Sequence, residues 1–466
     1  MATDNVIIGG GPVATNAAET IRQFDGGAST ITLLSDEPPH SRMALPYWLA
    51  GQIEQEHTHT ADDAYFKKLD VEARIGARVA SIDPAGKSLA LTDGSTVGFD
   101  NLLIATGSTP AGLPVEGTDL PGVQPLWTLA HTQSVLNVAA GKTKPRVCMI
   151  GSGFIGFIML NAMHKRDWQL AVVERESHVL PRMLDRDGAG ILESWLRERN
   201  IDVHCGTTVQ RITAQGDAKC VELADGTKLE ADVVVVATGV QPNVELATAC
   251  GIEAVTGAGG GILVNDRMQT NVENIYAGGD VVRGPALYAD GPENHAIQPT
   301  AVDHGRIAGA NMAGQKVSYP GSLSMNILDV CGLQNASFGN WSDPKAETIT
   351  ISNPGGSVYR RLLWRGDMIT GAIFIGRPTD MGMLTDVGMI KGIMQTQTAM
   401  GPWKEFLSEN PFDVRRPYVA LGVAAKLAKT TLLGRPAKTR GFQFGNAKPE
   451  PAVGVSHAAF VDASNA

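Results

Sequence analysis

Residues 6–14 read Val6-Ile7-Ile8-Gly9-Gly10-Gly11-Pro12-Val13-Ala14, an apolar strand followed by a glycine-rich turn and the start of a helix. This order fits G-x-G-x-x-[G/A], the turn that binds a dinucleotide between a strand and a helix. Gly9 permits the tight turn, Gly11 lets the backbone approach a pyrophosphate, and Ala14 keeps helix and strand close. The free N–H groups of the helix start favour phosphate oxygens. Taken alone, the stretch also fits a tight turn in an ordinary α/β protein.

A second glycine-rich turn, Gly151-Ser152-Gly153-Phe154-Ile155-Gly156, also lies between a predicted strand and a predicted helix. Glu174 ends the next strand, at the spacing of an acidic residue that binds both ribose hydroxyls. A carboxylate there repels a 2′-phosphate, which favours NADH over NADPH, although the adjacent Arg175 weakens that preference. Asp36 and Glu37 follow the second strand of the first unit and are candidates for a ribose there. Two such turns allow one bound flavin and one diffusible nicotinamide.

These turns belong to a longer internal repeat. The tripeptide Ala-Thr-Gly follows an apolar strand at residues 105–107 and again at residues 237–239. The repeat predicts two α/β units of comparable size, each a sheet with helices. From about Ser322 the sequence changes to alternating strand-like segments, which predict a third, α+β domain.

Composition and charge exclude several classes of protein. The 466 residues carry a net charge of −9, with 43% hydrophobic and 19% charged residues, which is typical of a soluble globular protein and does not favour nucleic-acid binding. The five cysteines form no CxxC pair, so we expect neither a structural disulfide framework nor a metal site. We find no signal peptide and no apolar run of 18 residues, and therefore expect a cytoplasmic protein without a membrane span.

Taken together, the motifs resemble those of the FAD/NAD-linked pyridine nucleotide-disulfide oxidoreductases. This family includes NADH oxidases, coenzyme A-disulfide reductases, rubredoxin and ferredoxin reductases and the large subunit of nitrite reductase. The resemblance covers about residues 4–345 and, more weakly, extends to about 405. It implies two Rossmann-like dinucleotide-binding domains of three-layer ββα form and a C-terminal α+β interface domain. The implied boundaries are 1–115 and 252–322 for the FAD-binding domain, 116–251 for the NAD(P)H-binding domain, 323–405 for the dimerisation domain and 406–466 for a basic extension.

The resemblance also implies which residues bind the two cofactors, FAD and NADH. Asp280 would hold the ribityl or phosphate region of FAD, and a helix beginning in residues 297–305 would point at the flavin ring. His295 and His304 flank that helix, either as proton shuttles or as ordinary surface or packing histidines. The FAD-binding candidates are Gly9, Gly11, Pro12, Ala14, Asp36, Glu37, Arg42, Val79, Thr106, Gly107, Gly279, Asp280 and Gln298. The NAD-binding candidates are Gly151, Gly153, Phe154, Ile155, Gly156, Glu174 and Gly239.

Three positions depart from the family pattern. Met43 stands where disulfide-active relatives carry a redox cysteine, and a thioether cannot form the thiolate that attacks a disulfide. Tyr47 stands at the lysine position of the ferredoxin-reductase signature, and we expect both Met43 and Tyr47 near the flavin. Ile158 replaces a glutamate that holds the nicotinamide in many relatives, which changes how NADH is oriented. Hydride transfer itself needs aligned rings and no protein acid or base.

The sequence therefore predicts an FAD-dependent oxidoreductase that takes a hydride from NADH and passes electrons to a redox protein or partner subunit. Two alternatives stay open: an NADH oxidase or quinone reductase acting on a small acceptor, and a slowly turning flavoprotein subunit or redox sensor. Residues 412–448 hold eight Lys or Arg and one acid, Asp413, which fits docking to an acidic carrier, subunit or membrane surface, or a simple solubilising extension. We expect a homodimer by resemblance. Cys331 lies either near the cofactor across a dimer contact or, as we favour, in the core as a small buried hydrophobe.

Overall fold

The computed structural model describes residues 2–428 and 432–433, and its first unit is built on a parallel sheet. Strands β7, β1, β2 and β3 lie side by side in that order, and β4, β5 and β6 form a separate antiparallel sheet. Short 3-10 turns occur at Arg42–Ala44 and Gln55–Thr58. The elements are β1 (Asp4–Ile8), α1 (Pro12–Asp25), β2 (Thr30–Ser35), α2 (Leu45–Leu49), α3 (Asp63–Lys68), β3 (Glu72–Ile75), β4 (Val79–Asp83), β5 (Ser88–Leu91), β6 (Thr96–Gly98), β7 (Asn101–Ile104), β8 (Ser108–Pro110) and β9 (Val123–Gln124).

The second unit repeats this plan. Its elements are α4 (Leu129–Ala139), β10 (Arg146–Ile150), α5 (Phe154–His164), β11 (Gln169–Glu174), α6 (Arg186–Arg197), β12 (Asp202–Cys205), β13 (Val209–Gln215), β14 (Ala218–Leu223), β15 (Lys228–Ala231), β16 (Val233–Val236), β17 (Val240–Pro242) and α7 (Glu245–Ala249). A parallel sheet runs in the order β12-β11-β10-β16-β9, beside an antiparallel sheet of β13, β14 and β15. Strand β17 pairs with β8 and so connects the two units.

After the second unit the chain returns to the first. The elements of this stretch are β18 (Ala254–Val255), β19 (Gly261–Leu263), β20 (Ile275–Ala277), a 3-10 turn at Gly279–Val281, β21 (Val282–Arg283) and α8 (Gln298–Met312). Strand β20 pairs with β7 as the fifth strand of the first sheet. Helix α8 packs closely against α1, because a Cβ at Gly305 would stand 2.4 Å from the Val13 carbonyl oxygen and one at Gly309 would stand 2.6 Å from that of Ala17.

The third domain is an antiparallel sheet in the order β22-β23-β26-β25-β24. One face, including Val330, Tyr359 and Ile373, shares a buried core with α5 and α6. The other face, including Phe338 and Phe374, is covered by helices. The elements are β22 (Met325–Val330), β23 (Leu333–Gly339), β24 (Glu347–Asn353), a 3-10 turn at Pro354–Gly356, β25 (Val358–Arg365), β26 (Met368–Gly376), α9 (Met381–Gln395), α10 (Trp403–Glu409), α11 (Arg415–Ala420) and α12 (Val423–Ala428).

The predicted fold class, α/β with two dinucleotide-binding units and an α+β C-terminal domain, is confirmed. Residues 406–428, which we expected to begin a basic extension, instead form helical structure whose Leu407, Val414 and Val423 are buried in the core of the third domain. The rest of the expected extension, apart from Leu432 and Leu433, lies outside the described residues. Among the helices of the described chain, none has the length and apolar character needed to cross a membrane.

Candidate active site

The first glycine turn has the geometry of a phosphate cradle. Gly9 has a φ of +115°, and a Cβ there would stand 2.2 Å from the Ala105 carbonyl oxygen, so only glycine fits. At Gly11 a Cβ would meet nothing within 4 Å, so this side of the backbone is open. Gly11 also caps α1 without a side-chain hydrogen bond, and Pro12 begins the helix. The helix start therefore keeps N–H groups available for an anion.

A cavity of about 1130 Å³ extends from this turn. Its volume exceeds the usual range for drug-sized ligands and suits an extended dinucleotide. The cavity brings together nearly all of the predicted FAD residues: Gly9, Gly11, Pro12, Asp36, Glu37, Arg42, Val79, Thr106, Gly107, Gly279, Asp280 and Gln298. Ala14 does not line it; that side chain is fully buried between helix and sheet, as a packing residue must be.

Asp280 is a buried carboxyl group that lines this cavity. Its carboxylate accepts a 2.9 Å hydrogen bond from the Ser108 hydroxyl. Burial raises the pKa of Asp280, while the Ser108 hydrogen bond and the charge of Arg42 lower it in part. Asp280 therefore places a carboxyl that can form hydrogen bonds in the wall of the cavity.

Arg42 and Glu37 also line the cavity and form an ion pair. The guanidinium Nη2 lies 2.8 Å from Glu37 Oε1. Asp36 lies 3.5 Å from Arg78 in an exposed pair, whose contribution to stability is small. Thus Glu37 already has a charged partner, and Asp36 is the more accessible of the two carboxylates.

The far end of the cavity is apolar and reaches the second unit. Its lining comes from the 3-10 turn at Arg42–Ala44 and from α2, α5 and β22. The residues are Met43, Leu45, Pro46, Phe154, Ile155, Ile158, Met159, Met325 and Ile327. No cysteine is among the described residues that line this cavity. Elsewhere in the chain, Cys148 and Cys331 are buried. Burial raises the pKa of each thiol to about 12, so neither is a reactive thiolate.

The second glycine turn copies the first. Gly151 has a φ of +101°, and a Cβ there would stand 2.3 Å from the Ala237 carbonyl oxygen, the counterpart of Ala105. Gly153 caps α5 and is open, whereas a Cβ at Gly156 would stand 2.8 Å from the Gly151 carbonyl oxygen. The same backbone geometry thus occurs at two places in one chain.

Comparison with known proteins agrees with this duplicated geometry. A family model described as pyridine nucleotide-disulphide oxidoreductase matches residues 3–305. The chain belongs to this family. A second model, the rubredoxin NAD+ reductase C-terminal domain, matches residues 325–386. Members of the pyridine nucleotide-disulphide oxidoreductase family use FAD and NAD(H), and the chain is an oxidoreductase of this kind.

Two curated relatives and one solved structure illustrate the likeness. The chain is 28% identical over 418 residues to NADH-dependent phenylglyoxylate dehydrogenase subunit epsilon of Aromatoleum evansii, covering 89% of this chain and 96% of the relative. It is 32% identical over 318 residues to rhodocoxin reductase of Rhodococcus erythropolis, covering 67% and 73%. Its fold matches that of the covalent putidaredoxin reductase–putidaredoxin complex with a TM-score of 0.79 at 23% identity, covering 91% and 100%.

Glu174 lies beside the second glycine turn. It is 8% exposed, and its Oε2 accepts hydrogen bonds from the Ser152 N–H at 2.9 Å and the Ser152 hydroxyl at 2.6 Å. Its Oε1 accepts one from the Glu176 N–H. Arg175 is exposed and pairs with Glu176. Of the other predicted NAD residues, Phe154 and Ile155 line the cavity, while Gly151, Gly153, Gly156 and Gly239 do not.

Besides Ala14 and Glu174, three predicted side chains do not line the cavity: those of Tyr47, His295 and His304. Tyr47 is 53% exposed and is not among the residues that line the cavity. His295 bonds Ser322 Oγ at 2.6 Å and Glu293 at 2.9 Å. His304 is buried, and its Nδ1 accepts a hydrogen bond from the Gly279 N–H. Burial lowers the pKa of His304 to about 3, so it is neutral at physiological pH and unsuited to shuttling protons.

Several cavity residues escaped prediction. Asn243 donates through Nδ2 to the Thr106 carbonyl at 2.7 Å and accepts at Oδ1 from Thr109 at 2.6 Å, so it joins the two units across β8 and β17. Asn243 ends the run Ala-Thr-Gly-Val-Gln-Pro-Asn at residues 237–243, which could have indicated its role from the sequence. Trp127 and Ser108 also line the cavity, but no local pattern in the sequence marks Trp127.

Proposed function

We propose that the protein oxidises NADH at a bound FAD and passes the electrons to a redox protein or partner subunit. One cavity carries this proposal, because it extends from the first glycine turn to α5, which begins at the second turn. A nicotinamide held by the second unit can therefore meet a flavin held by the first. Bound FAD supplies the two-electron chemistry, accepting a hydride and releasing electrons singly or in pairs.

The first unit would hold FAD through backbone and side-chain groups. The backbone N–H groups of Gly11 and Val13, where α1 begins, would face the pyrophosphate, whereas Pro12 has no N–H to donate. Asp280 accepts hydrogen bonds from hydroxyls of the cofactor, and Asp36 those of the adenosine ribose. The start of α8 at Gln298 presents a helix N-terminus, which stabilises negative charge.

The second unit would hold NADH. Gly151 and Gly153 let its pyrophosphate approach α5, and the Glu174 carboxylate accepts from the ribose hydroxyls while it disfavours a 2′-phosphate. Phe154 and Ile155 begin α5 inside the cavity, and they would align the nicotinamide and exclude water. With Ile158 in place of a glutamate, this alignment depends on apolar packing.

Two features support a protein acceptor. The apolar end has no cysteine to store electrons between the flavin and a disulfide. The relatives named above include a subunit of an NADH-dependent dehydrogenase and a rhodocoxin reductase. An electron acceptor that is itself a protein fits both.

One observation favours a small acceptor as the second candidate. Met43 and Ile327 line the apolar end and are also 41% and 42% exposed, so this end opens to solvent. A quinone ring entering there would meet only apolar side chains and needs no protein thiol.

Anaerobic stopped-flow reduction tests these proposals. The protein, purified with its flavin, is mixed with NADH or NADPH, and flavin absorbance is followed. The reduced protein is then mixed with a [2Fe–2S] ferredoxin, a soluble quinone or oxygen. We expect NADH to bleach the flavin much faster than NADPH, and ferredoxin to reoxidise it faster than the other acceptors.

Each result has a distinct meaning. Protein that is colourless and takes up no FAD contradicts the whole proposal. Faster bleaching by NADPH contradicts the role given to Glu174. Preferential reoxidation by the quinone replaces the protein acceptor with the small one.

A further inference from the structure

Trp127 links two walls of the cavity. It lies between β9 and α4, at the beginning of the second unit. Its carbonyl accepts a 2.6 Å hydrogen bond from Arg42 Nη1, and the guanidinium carbon stands 4.9 Å from the centroid of its ring. On its other side the indole N–H donates to the Ser108 carbonyl at 3.0 Å. One half-buried residue, through its backbone carbonyl and its side chain, thus contacts two segments that are distant in the sequence.

These contacts continue at both ends. Arg42 pairs with Glu37 at 2.8 Å, and the Ser108 hydroxyl donates to Asp280 at 2.9 Å. The five residues form a continuous chain, Glu37–Arg42–Trp127–Ser108–Asp280, and every member lines the cavity. We call this chain of contacts the clasp. It joins the loop after β2, the Arg42–Ala44 turn, the segment between β9 and α4, β8 and the Gly279–Val281 turn.

We propose that Trp127 is a positioning residue that holds Arg42 in the cavity wall and thereby slows the release of FAD. The proposal rests on the assignment of this cavity to FAD. Release of an elongated cofactor is faster when a wall of its cavity can move, and the wall at Arg42 is held by the contacts of Arg42 with Trp127 and Glu37. A cation over an aromatic ring and a hydrogen bond to a backbone carbonyl each contribute about 1 kcal/mol, so losing one or both speeds release by about fivefold to thirtyfold.

The test measures the rate constant of FAD release. Holoprotein is mixed with an excess of an apoflavoprotein that traps free FAD, and the fluorescence change is followed. Trp127→Phe keeps a ring beside Arg42 but loses the N–H to Ser108, and Trp127→Ala loses both the ring and the N–H, while the backbone carbonyl that accepts from Arg42 stays in both variants. We expect release about fivefold faster for Trp127→Phe, and about thirtyfold faster for Trp127→Ala.

The chain supplies a matched control in Trp195. Its ring also lies against an arginine, with the Arg199 guanidinium carbon 3.4 Å from the centroid, and its indole also donates to a carbonyl, that of Cys331 at 3.0 Å. Trp195 does not line the cavity. Trp195→Phe should therefore release FAD at the wild-type rate, even where it lowers stability to the same extent.

A double-mutant cycle separates the clasp from a general packing role. Arg42→Lys and Trp127→Ala should each speed release, and the double variant should be no faster than the faster single variant. Additive effects, or release rates for Trp127 variants equal to that of Trp195→Phe, would overturn the clasp while leaving the flavin assignment intact. Protein without flavin would instead contradict the proposed function.

Discussion

The Ser152 hydroxyl donates a 2.6 Å hydrogen bond to the Glu174 carboxylate, and the Ser152 N–H donates to the same oxygen at 2.9 Å. Ser152 has no exposed surface and lies within the second glycine turn. The turn that would receive the pyrophosphate thus also fixes the acidic group that would receive the ribose. The position of Glu174 is set by the glycine turn as well as by the strand that it ends.

Ser152→Ala should weaken NADH binding and leave the limiting rate of flavin reduction unchanged. The variant keeps the N–H donor but loses the hydroxyl, a net contribution of about 1 kcal/mol, so the Kd for NADH should rise about fivefold. The dependence of the stopped-flow rate on NADH concentration separates these two quantities. The exposed Ser177, three residues after Glu174, provides the control variant Ser177→Ala. An unchanged Kd in Ser152→Ala would show that the hydroxyl does not position Glu174.

The open glycines of the two turns predict two separable defects. Gly11 and Gly153 have φ of −79° and −73°, and a Cβ at either would meet no atom within 4 Å. Alanine there strains nothing in the folded protein, but its methyl group occupies the side open to a pyrophosphate. Gly11→Ala should therefore fold with at least about tenfold weaker FAD binding, a cost of about 1.4 kcal/mol.

Gly153→Ala should keep its flavin and bind NADH about tenfold more weakly. Flavin content after gel filtration and the NADH titration measure the two effects, and thermal unfolding verifies that both variants fold. If both variants lost FAD equally, the assignment of one cofactor to each turn would be wrong.

Sequence alone could predict the two turns because their chemistry is local. Strand, glycines and helix lie within ten residues, and only glycine fits at Gly9 and Gly151. The clasp could not be predicted, because its contacts join residues that are far apart in the sequence. Arg42 and Trp127 are separated by 85 positions, and Ser108 and Asp280 by 172. Such contacts depend on how the units pack. Likewise, we gave more weight to the basic composition after residue 405 than to its apolar residues. Two of these, Leu407 and Val414, are buried in the core of the third domain.

His304 predicts how stability responds to acid. In the unfolded chain its pKa is about 6.5, whereas burial lowers the pKa in the folded protein to about 3. Between these values the unfolded state binds the extra proton, so the stability present above pH 6.5 is lost as the pH falls towards 3. At pH 5 this costs about 2 kcal/mol.

His304→Gln removes that titration and keeps a side chain able to accept from the Gly279 N–H. Urea unfolding at pH 7.5 and pH 5 gives the free energy of unfolding of each protein. The decrease between the two pH values should be about 2 kcal/mol smaller in this variant than in the wild type. His57→Gln, at an exposed histidine, should follow the wild type. Equal losses in His304→Gln and the wild type would mean that His304 takes up its proton in the folded state as well.

Replacing Met43 by cysteine should give the protein disulfide reductase activity. The Met43 side chain lies at the apolar end of the cavity and is also exposed, so a thiol there would be open to a small disulfide and close to the proposed flavin position. A thiolate attacks a disulfide, releases one thiol and leaves a mixed disulfide, which two electrons from NADH through the flavin then reduce to release the second thiol. Met43→Cys should therefore consume one NADH for each disulfide converted to two thiols, whereas the wild type consumes none.

The control variant is Met381→Cys, at a residue of α9 that is 69% exposed and does not line the cavity. Its mixed disulfide should form and persist when NADH is added. If the mixed disulfide of Met43→Cys persisted in the same way while NADH still bleached the flavin, Met43 would not lie beside the flavin, and the apolar end of the cavity would need another occupant.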